Sequence, residues 1–282
     1  MTDLSNQEID SIIKLLKLKK GTDLSDYARS SLNRRVNRFF DVKKISCIKD
    51  FEQRMQNEEA FADCFIDEIT VNVTEMFRDA GFWIEIRDTV LPKLVERPII
   101  NIWHAACSTG EEVYSMAILL NEAGLYEKCR IVATDLNIAA LKKCEKGIYL
   151  LKNQILNERN YNMFSGMKAL SYYYERDKNQ VKYHPALIKN VRFKRHDLVL
   201  DGSIGLFDLI ICRNVLIYFN FPLQEKVLNL FTQSLAANSF LGIGSKESIN
   251  WTRAEKHFQT LCLEEKIYKK KERTLNEAFI GG

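Results

Sequence analysis

Apolar positions near the start of the chain recur every three or four residues. In "EIDSIIKLLKLKKG" the residues Ile9, Ile12, Ile13, Leu16 and Leu18 fall near one face, and the run stops at Gly21. "DLSDYARSSLNRRVNRFFDV" carries Leu24, Tyr27, Leu32, Val36, Phe39 and Phe40 at helical spacing, and "IKDFEQRMQNEEAFADCFIDEITV" continues in the same style. The spacing predicts an all-helical N-terminal domain over residues 1–70. From Ile99 the period changes. "IINIW", "RIVATD", "VRFKRHD" and "FDLIICRN" are short apolar runs, separated by helix-like segments such as "EEVYSMAILLNEAG" and "PLQEKVLNLFTQSLAAN". That alternation is expected of a parallel sheet wrapped by helices, so residues 71–282 are assigned to an α/β domain.

Two stretches break the alternation. "SFLGIGSK" and "LEEKIYKKKE" read as strands with no full helix pattern after the second, which predicts an antiparallel edge to the sheet. Residues 148–190 contain a Tyr-rich alternating run and the charged turn "ERDKNQ", the pattern of a small inserted β-subdomain with a hairpin rather than a plain crossover.

Composition narrows the class without changing the fold. With 282 residues, 46% hydrophobic and 28% charged, the chain suits a soluble protein of more than one domain. Its net charge is only +4, from 41 basic and 37 acidic residues, so attraction to an acidic partner must come from a local patch. No stretch approaches the roughly 20 apolar residues that span a bilayer, and "MTDLSNQEID" lacks the layout of a signal peptide. The expected address is the cytoplasm, with no membrane insertion. Seven cysteines without a CxxC pair and four isolated histidines suggest neither a disulfide framework nor a metal site.

In an open α/β sheet, ligands bind beyond the carboxyl ends of the strands, where strand order reverses. The first such segment here is "HAACSTGEE", whose small residues, Ala106 among them, let a ligand lie close to the backbone before Gly110. Asp135 follows the next strand 25 residues on, a spacing at which an acid accepts hydrogen bonds from ribose hydroxyls. One glycine and the pair Glu111–Glu112 argue against a pyrophosphate, which wants bare amides and is repelled by carboxylates. A cationic adenosine cofactor without phosphate fits better, and S-adenosylmethionine is one. Plainer roles exist for the same residues: Glu111 and Glu112 suit a helix N-terminus, and Asp135 suits a cap for the following helix. "RHDL" can offer Asp197 and Leu198 to an adenine edge. The strand "FDLIIC" ends abruptly on Arg213 and Asn214, with Tyr218 a turn farther on.

Taken together, "TVNVTEMFRD", "ACSTGEEVYSMAILL", "ATDLNIAAL", "VRFKRHDL", "FDLIICRNVLIYFN" and "LGIGSKES" resemble, in the same order, the motifs of the chemotaxis receptor methyltransferases, the CheR-type protein-glutamate O-methyltransferases. The resemblance covers nearly the whole chain. Val113 stands where the family usually has proline, and "GSKES" replaces "GHSES". It implies a Rossmann-like S-adenosylmethionine-dependent methyltransferase sheet, with the helical N-terminal domain and the inserted antiparallel β-subdomain. It also implies methyl transfer from S-adenosylmethionine to glutamate side chains on the cytoplasmic helical bundle of methyl-accepting chemoreceptors, leaving S-adenosylhomocysteine.

By the same resemblance, Asn72, Thr74 and Arg78 face the cofactor and Ala106 lies against it. Glu112 takes the ammonium, Asp135 the ribose, and Asp197 with Leu198 the adenine. Arg213 and Asn214 line the methionine portion, while Arg78 and Tyr218 orient the incoming glutamate. The basic residues Arg29, Arg34, Arg35, Arg38, Lys43 and Lys44 form a face for the acidic receptor bundle, and the Tyr172–Tyr174 region belongs to a subdomain able to dock onto receptors. Two competing readings are a regulatory module that binds the cofactor and serves a non-chemoreceptor partner, and a nucleic-acid methyltransferase. The second needs an Asn/Asp-Pro-Pro-aromatic tetrapeptide where "CRNV" stands, so no nucleic-acid partner is expected.

Overall fold

The computed structural model describes residues 4–70 and 74–272, which divide into two compact units: residues 4–70 with 217–224, and residues 74–216 with 225–272. The first holds α1 (Asn6–Lys20), α2 (Arg29–Lys43), α3 (Ile48–Asn57) and α4 (Glu59–Ile69). Local chemistry sets the ends of α1. Ser5 Oγ accepts the Glu8 amide while the Glu8 carboxylate accepts the Ser5 amide at 2.8 Å, a reciprocal cap. At the other end Gly21, at φ 69°, returns its N–H to the Lys17 carbonyl.

Ile9, Ile12, Ile13 and Leu16 are buried as their spacing predicts, but Leu18 is 85% exposed. Two residues past Leu16, it has rotated by about 200° and left the stripe. Leu24 and Tyr27 also depart from the helical reading: both precede α2, Leu24 buried in the connecting loop and Tyr27 paired in a short antiparallel bridge with Phe219. Phe39, Phe51, Phe61 and Phe65 form the centre of this unit, with Phe65 centred 4.9 Å from both Phe39 and Phe51 in edge-to-face contact.

In the second unit the chain runs through α5 (Ala80–Glu85), a π-helical turn (Ile86–Val90) and α6 (Leu91–Leu94). It continues through β1 (Ile100–Ala105), α7 (Glu111–Glu122), β2 (Cys129–Asp135) and α8 (Ile138–Lys146), then β3 (Ile148–Leu150), α9 (Leu151–Phe164), β4 (Tyr174–Asp177), β5 (Gln180–Tyr183) and β6 (Val191–Arg195). β7 (Phe207–Cys212), α10 (Phe221–Ser234), β8 (Leu235–Ile243), β9 (Phe258–Cys262) and β10 (Ile267–Lys270) complete the order. Seven strands make one sheet in the order β6-β2-β1-β7-β8-β10-β9. The first five are mutually parallel, and β10 runs antiparallel to β8 and β9, the expected edge with one strand, β9, more than the pattern announced. Every residue of β7 is buried, as a central strand covered on both faces requires. From β1 the chain builds outward through β2 and β6, then returns to the other side of β1 with β7, which places the reversal of strand order between β1 and β7.

The insertion forms a separate antiparallel sheet, β3-β5-β4. Its hairpin turns at Lys178, in left-handed conformation at φ 49°, within the charged stretch the sequence marks. The 14-residue helix α9 inside the insertion was not expected. Gln154 and Asn157 are among its buried residues, so its inner face lacks the apolar stripe that announces a helix.

Candidate functional site

β1 leads into a turn with left-handed backbone at Ala106 (φ 57°), Ser108 (φ 52°) and Gly110 (φ 91°), after which α7 begins. Gly110 is required twice over. A side chain would be strained at that φ, and a Cβ would meet Cys144 Sγ of α8 at 1.9 Å. The bare side of this glycine is thus filled by protein and is not a seat for a phosphate. Ala105, Cys107 and Thr109 are buried, the last donating its hydroxyl to Glu111 Oε2 at 2.6 Å, and burial raises the Glu111 pKa. Glu111 therefore faces inward, and Glu112 is the carboxylate turned to the strand ends.

Glu112 sits between an imidazole and a guanidinium. His104 Nδ1, on β1, lies 3.1 Å from Oε1, and Arg213 Nη1, just past β7, lies 3.4 Å from Oε2. Burial alone would raise the Glu112 pKa, but His104 and Arg213 outweigh it and hold the group below the ordinary glutamate value. Arg213 Nη2 donates to Asp79 Oδ2 at 2.6 Å, and the guanidinium lies 4.2 Å over the Phe82 ring. Its side chain is 2% exposed. Asp79, like Phe77, has positive φ, so the segment 74–79 turns sharply. That segment is pinned by its middle: Met76 and Phe77 are buried, their amides donating to Asn157 Oδ1 at 3.0 Å and Ser115 Oγ at 2.8 Å, and Phe77 stacks on Phe164 at 4.8 Å. Thr74 and Arg78, by contrast, are only half-buried, and the Arg78 carbonyl accepts the Trp83 indole N–H.

One strand over, Asp135 ends β2. Its Oδ2 accepts the Ser108 amide and its Oδ1 the Asn137 amide, each at 2.8 Å, so it braces the β1 turn and the start of α8 together. Burial nevertheless raises its pKa against those amides. The Leu136 amide also favours this carboxylate, and three amides do not fill a carboxylate's four acceptor positions. At the end of β6, Asp197 accepts the Val199 amide on Oδ1, while its buried Oδ2 has no hydrogen-bond partner among the described residues; Leu198 beside it is 7% exposed. His196 donates its amide to the Asp135 carbonyl, tying the two acids' loops together.

Past Arg213, Asn214 takes left-handed backbone at φ 61°. The buried Glu247 holds this turn: its carboxylate accepts the amides of Gly244 (2.5 Å), Asn214 (3.2 Å) and Val215 (2.8 Å). Gly244 is obligatory, because a Cβ there would stand 2.8 Å from the Asn214 nitrogen. Within the second unit the structure therefore gathers Ala106, Glu112, Asp135, Asp197, Leu198, Arg213 and Asn214 at the carboxyl ends of β1, β2, β6 and β7. Asn72 lies outside the described residues.

Tyr218 belongs to the first unit. Its carbonyl accepts the Ala28 amide at 2.8 Å, and its ring carries the Arg35 guanidinium at 4.1 Å. Arg35, placed by its sequence on the basic face of α2, is 7% exposed and donates Nη1 to the Ile69 carbonyl, so it leaves that face. Helical geometry explains the correction: Arg35 adjoins Leu32, Val36 and Phe39 on the buried side. Arg29 pairs with Asp10 and Arg38 with Glu68, while Arg34, Lys43 and Lys44 are exposed.

His104, Asp79 and Glu247 were missed from sequence. Apart from the Gly244 amide three residues before Glu247, the partners that matter lie eight to 134 positions away, and only the fold brings them together. The nearest available signal was their place inside the same motifs. Among the described residues no helix is long and apolar enough to cross a membrane.

Comparison with known proteins agrees with this architecture. Residues 7–70 match the CheR methyltransferase all-alpha domain, and residues 72–267 match the CheR methyltransferase SAM-binding domain. A Pseudomonas putida protein, Cher3, is 37% identical over 93% of this chain and 96% of its own length. The chemotaxis protein methyltransferase of Listeria monocytogenes is 34% identical over 84% of this chain and 88% of its own, and that of Borreliella burgdorferi 30% over 88% and 90%. The chain belongs to the CheR methyltransferase family, with S-adenosylmethionine as its cofactor.

Proposed function

We propose that the protein transfers the methyl group of S-adenosylmethionine to glutamate carboxylates on the cytoplasmic helical bundle of a methyl-accepting chemoreceptor, forming methyl esters, and that it works in the cytoplasm. The observation that carries the cofactor side is the set of three acids, Glu112, Asp135 and Asp197, at the ends of adjacent strands around a turn whose only glycine is closed by Cys144. Such a set favours a cation with hydroxyls and an amine over a phosphate. Glu112 would take the ammonium, Asp135 the ribose hydroxyls through its remaining acceptor positions, and the unpartnered Asp197 Oδ2 an exocyclic amine beside Leu198. Asn72, Thr74, Arg78, Ala106, Arg213 and Asn214 would border the rest. When bound, the cofactor supplies an electrophilic methyl group on sulfonium.

A glutamate substrate suits residues of this kind. Its carboxylate, with an ordinary pKa of about 4.3, is already ionised near neutral pH, so the protein needs to align and desolvate it rather than deprotonate it. Arg78 and Tyr218 are assigned to that orientation, Tyr218 from a ring clamped under Arg35. Arg34 and Lys43 on α2 and Lys44 just past it, all exposed, supply attraction to an acidic bundle. The family relation to chemotaxis protein methyltransferases supports the receptor as partner.

The test is transfer of label from methyl-labelled S-adenosylmethionine to receptor cytoplasmic fragments. The expected product releases its label as methanol in mild base. Label that survives base, or no transfer by protein that binds the cofactor, would overturn the reading.

A further inference from the structure

His104 has no role in the scheme above, yet it is fully buried and one of its nitrogens touches the central carboxylate. An ionised carboxylate can only accept, so the proton between His104 Nδ1 and Glu112 Oε1 sits on the imidazole. The opposite nitrogen, Nε2, is buried and has no hydrogen-bond partner among the described residues. A second proton there would create a buried cationic N–H without an acceptor, whereas a bare lone pair leaves only an acceptor unfilled. Local geometry thus selects the neutral imidazole with hydrogen on Nδ1.

We propose that His104 is a positioning residue for the cofactor's ammonium: it fixes the Glu112 carboxylate as a neutral donor and leaves the negative charge of that carboxylate in place. This rests on the assignment of Glu112 to the ammonium. The charges around it show why neutrality matters. Arg213 is shared between Glu112 and Asp79, and Glu265, its pKa raised by burial, also feels both Asp79 and Arg213, so the one cation does not offset the carboxylates around it and net negative charge remains. A protonated His104 would cancel it and remove the attraction for a cationic ligand. Two thiols, Cys107 and Cys212, also feel Glu112. Contact with Cys144 and burial push the first well above the ordinary thiol range and burial does the same for the second, so both stay uncharged.

The experiment is calorimetric titration of the full chain with two ligands: S-adenosylhomocysteine, which carries the ammonium, and methylthioadenosine, which lacks the whole amino-acid head. His104→Asn keeps a neutral N–H donor and should bind S-adenosylhomocysteine within a few-fold of the parent. His104→Leu, which removes the donor, should weaken it by about tenfold. Methylthioadenosine affinity should be the same in all three. Nitrogen-15 spectra of the unaltered protein near neutral pH should show Nδ1 protonated and Nε2 bare. Equal weakening of both ligands by His104→Leu, full binding of S-adenosylhomocysteine by that variant, or an imidazole protonated on both nitrogens would overturn the proposal. The spectroscopic arm decides it even where His104→Leu does not fold. Glu112→Gln separates the two levels: if it leaves S-adenosylhomocysteine affinity unchanged, the ammonium assignment fails, independently of His104.

Discussion

In each unit an arginine is buried against an aromatic ring, and the two are answered differently. Arg35 of the helical unit lies over Tyr218 and meets the Ile69 carbonyl, and burial lowers its pKa. Arg213 of the sheet unit lies over Phe82 and meets two carboxylates, one of which is also held by His104. A carbonyl and a ring hold a guanidinium without offering it an anion, so Arg35 works as a clamp between α2, the end of α4 and the 217–224 segment. Two carboxylates on one cation leave a negative remainder, which is a reason to bring in another cation. Burial of a charge therefore does not by itself distinguish structure from function; the charge balance of its partners does.

The sharpest break of this comparison is Asp135→Ala. The residue is needed by the fold for two amides and, as proposed, by the cofactor for its ribose, so S-adenosylhomocysteine binding should fall by at least about 100-fold in calorimetry. Next is Glu247→Ala, which strands three amides of the β7 and β8 ends and should cost about 3 kcal/mol in urea unfolding. Arg35→Ala comes third, at about 2 kcal/mol by the same measurement, and should leave cofactor affinity unchanged because no group of the sheet site depends on it. A loss of affinity in that variant would blur the distinction between clamp and site.

Asp23 gives a pH test confined to the helical unit. Burial alone would raise its carboxyl, but the Lys17 ammonium at 2.6 Å and the Ser25 amide and hydroxyl hold it at about 2. A depressed acid contributes stability that is complete above its ordinary value of 3.8 and is lost as pH falls toward 2. Asp23→Asn should flatten acid unfolding of the protein in that window. The smallest effect on stability belongs to Arg34→Glu, an exposed change expected within about 0.5 kcal/mol, yet one that should slow transfer to receptor fragments most at low salt.

Much of this is legible in the sequence. The alternation of strand and helix patterns, the acid ending β2 and the abrupt polar end of β7 depend on residues near one another in sequence, where periodicity and turn chemistry operate. The same local rules mislead where local pattern and tertiary need diverge. Leu18 and Arg35 exchange the places their types suggest, one exposed and the other buried, because helix rotation and the Tyr218 ring decide each. Helix α9 was invisible because its inner face uses Gln154 and Asn157, whose partners Tyr183 and Met76 lie far off in the chain.

By itself, then, the sequence determined the helical part followed by an α/β part, the parallel sheet with its inserted hairpin, and the identity of the acids around the first turn. Those follow from spacing, which a linear string records. The tertiary structure alone decided that Gly110 faces Cys144, that Arg213 joins Asp79 to Glu112, that Glu247 braces Asn214, and that His104 backs the carboxylate with one nitrogen and leaves the other bare. Each is a relation between strands or helices brought side by side, fixed by hydrogen-bond reach and close packing, which act through space rather than along the chain.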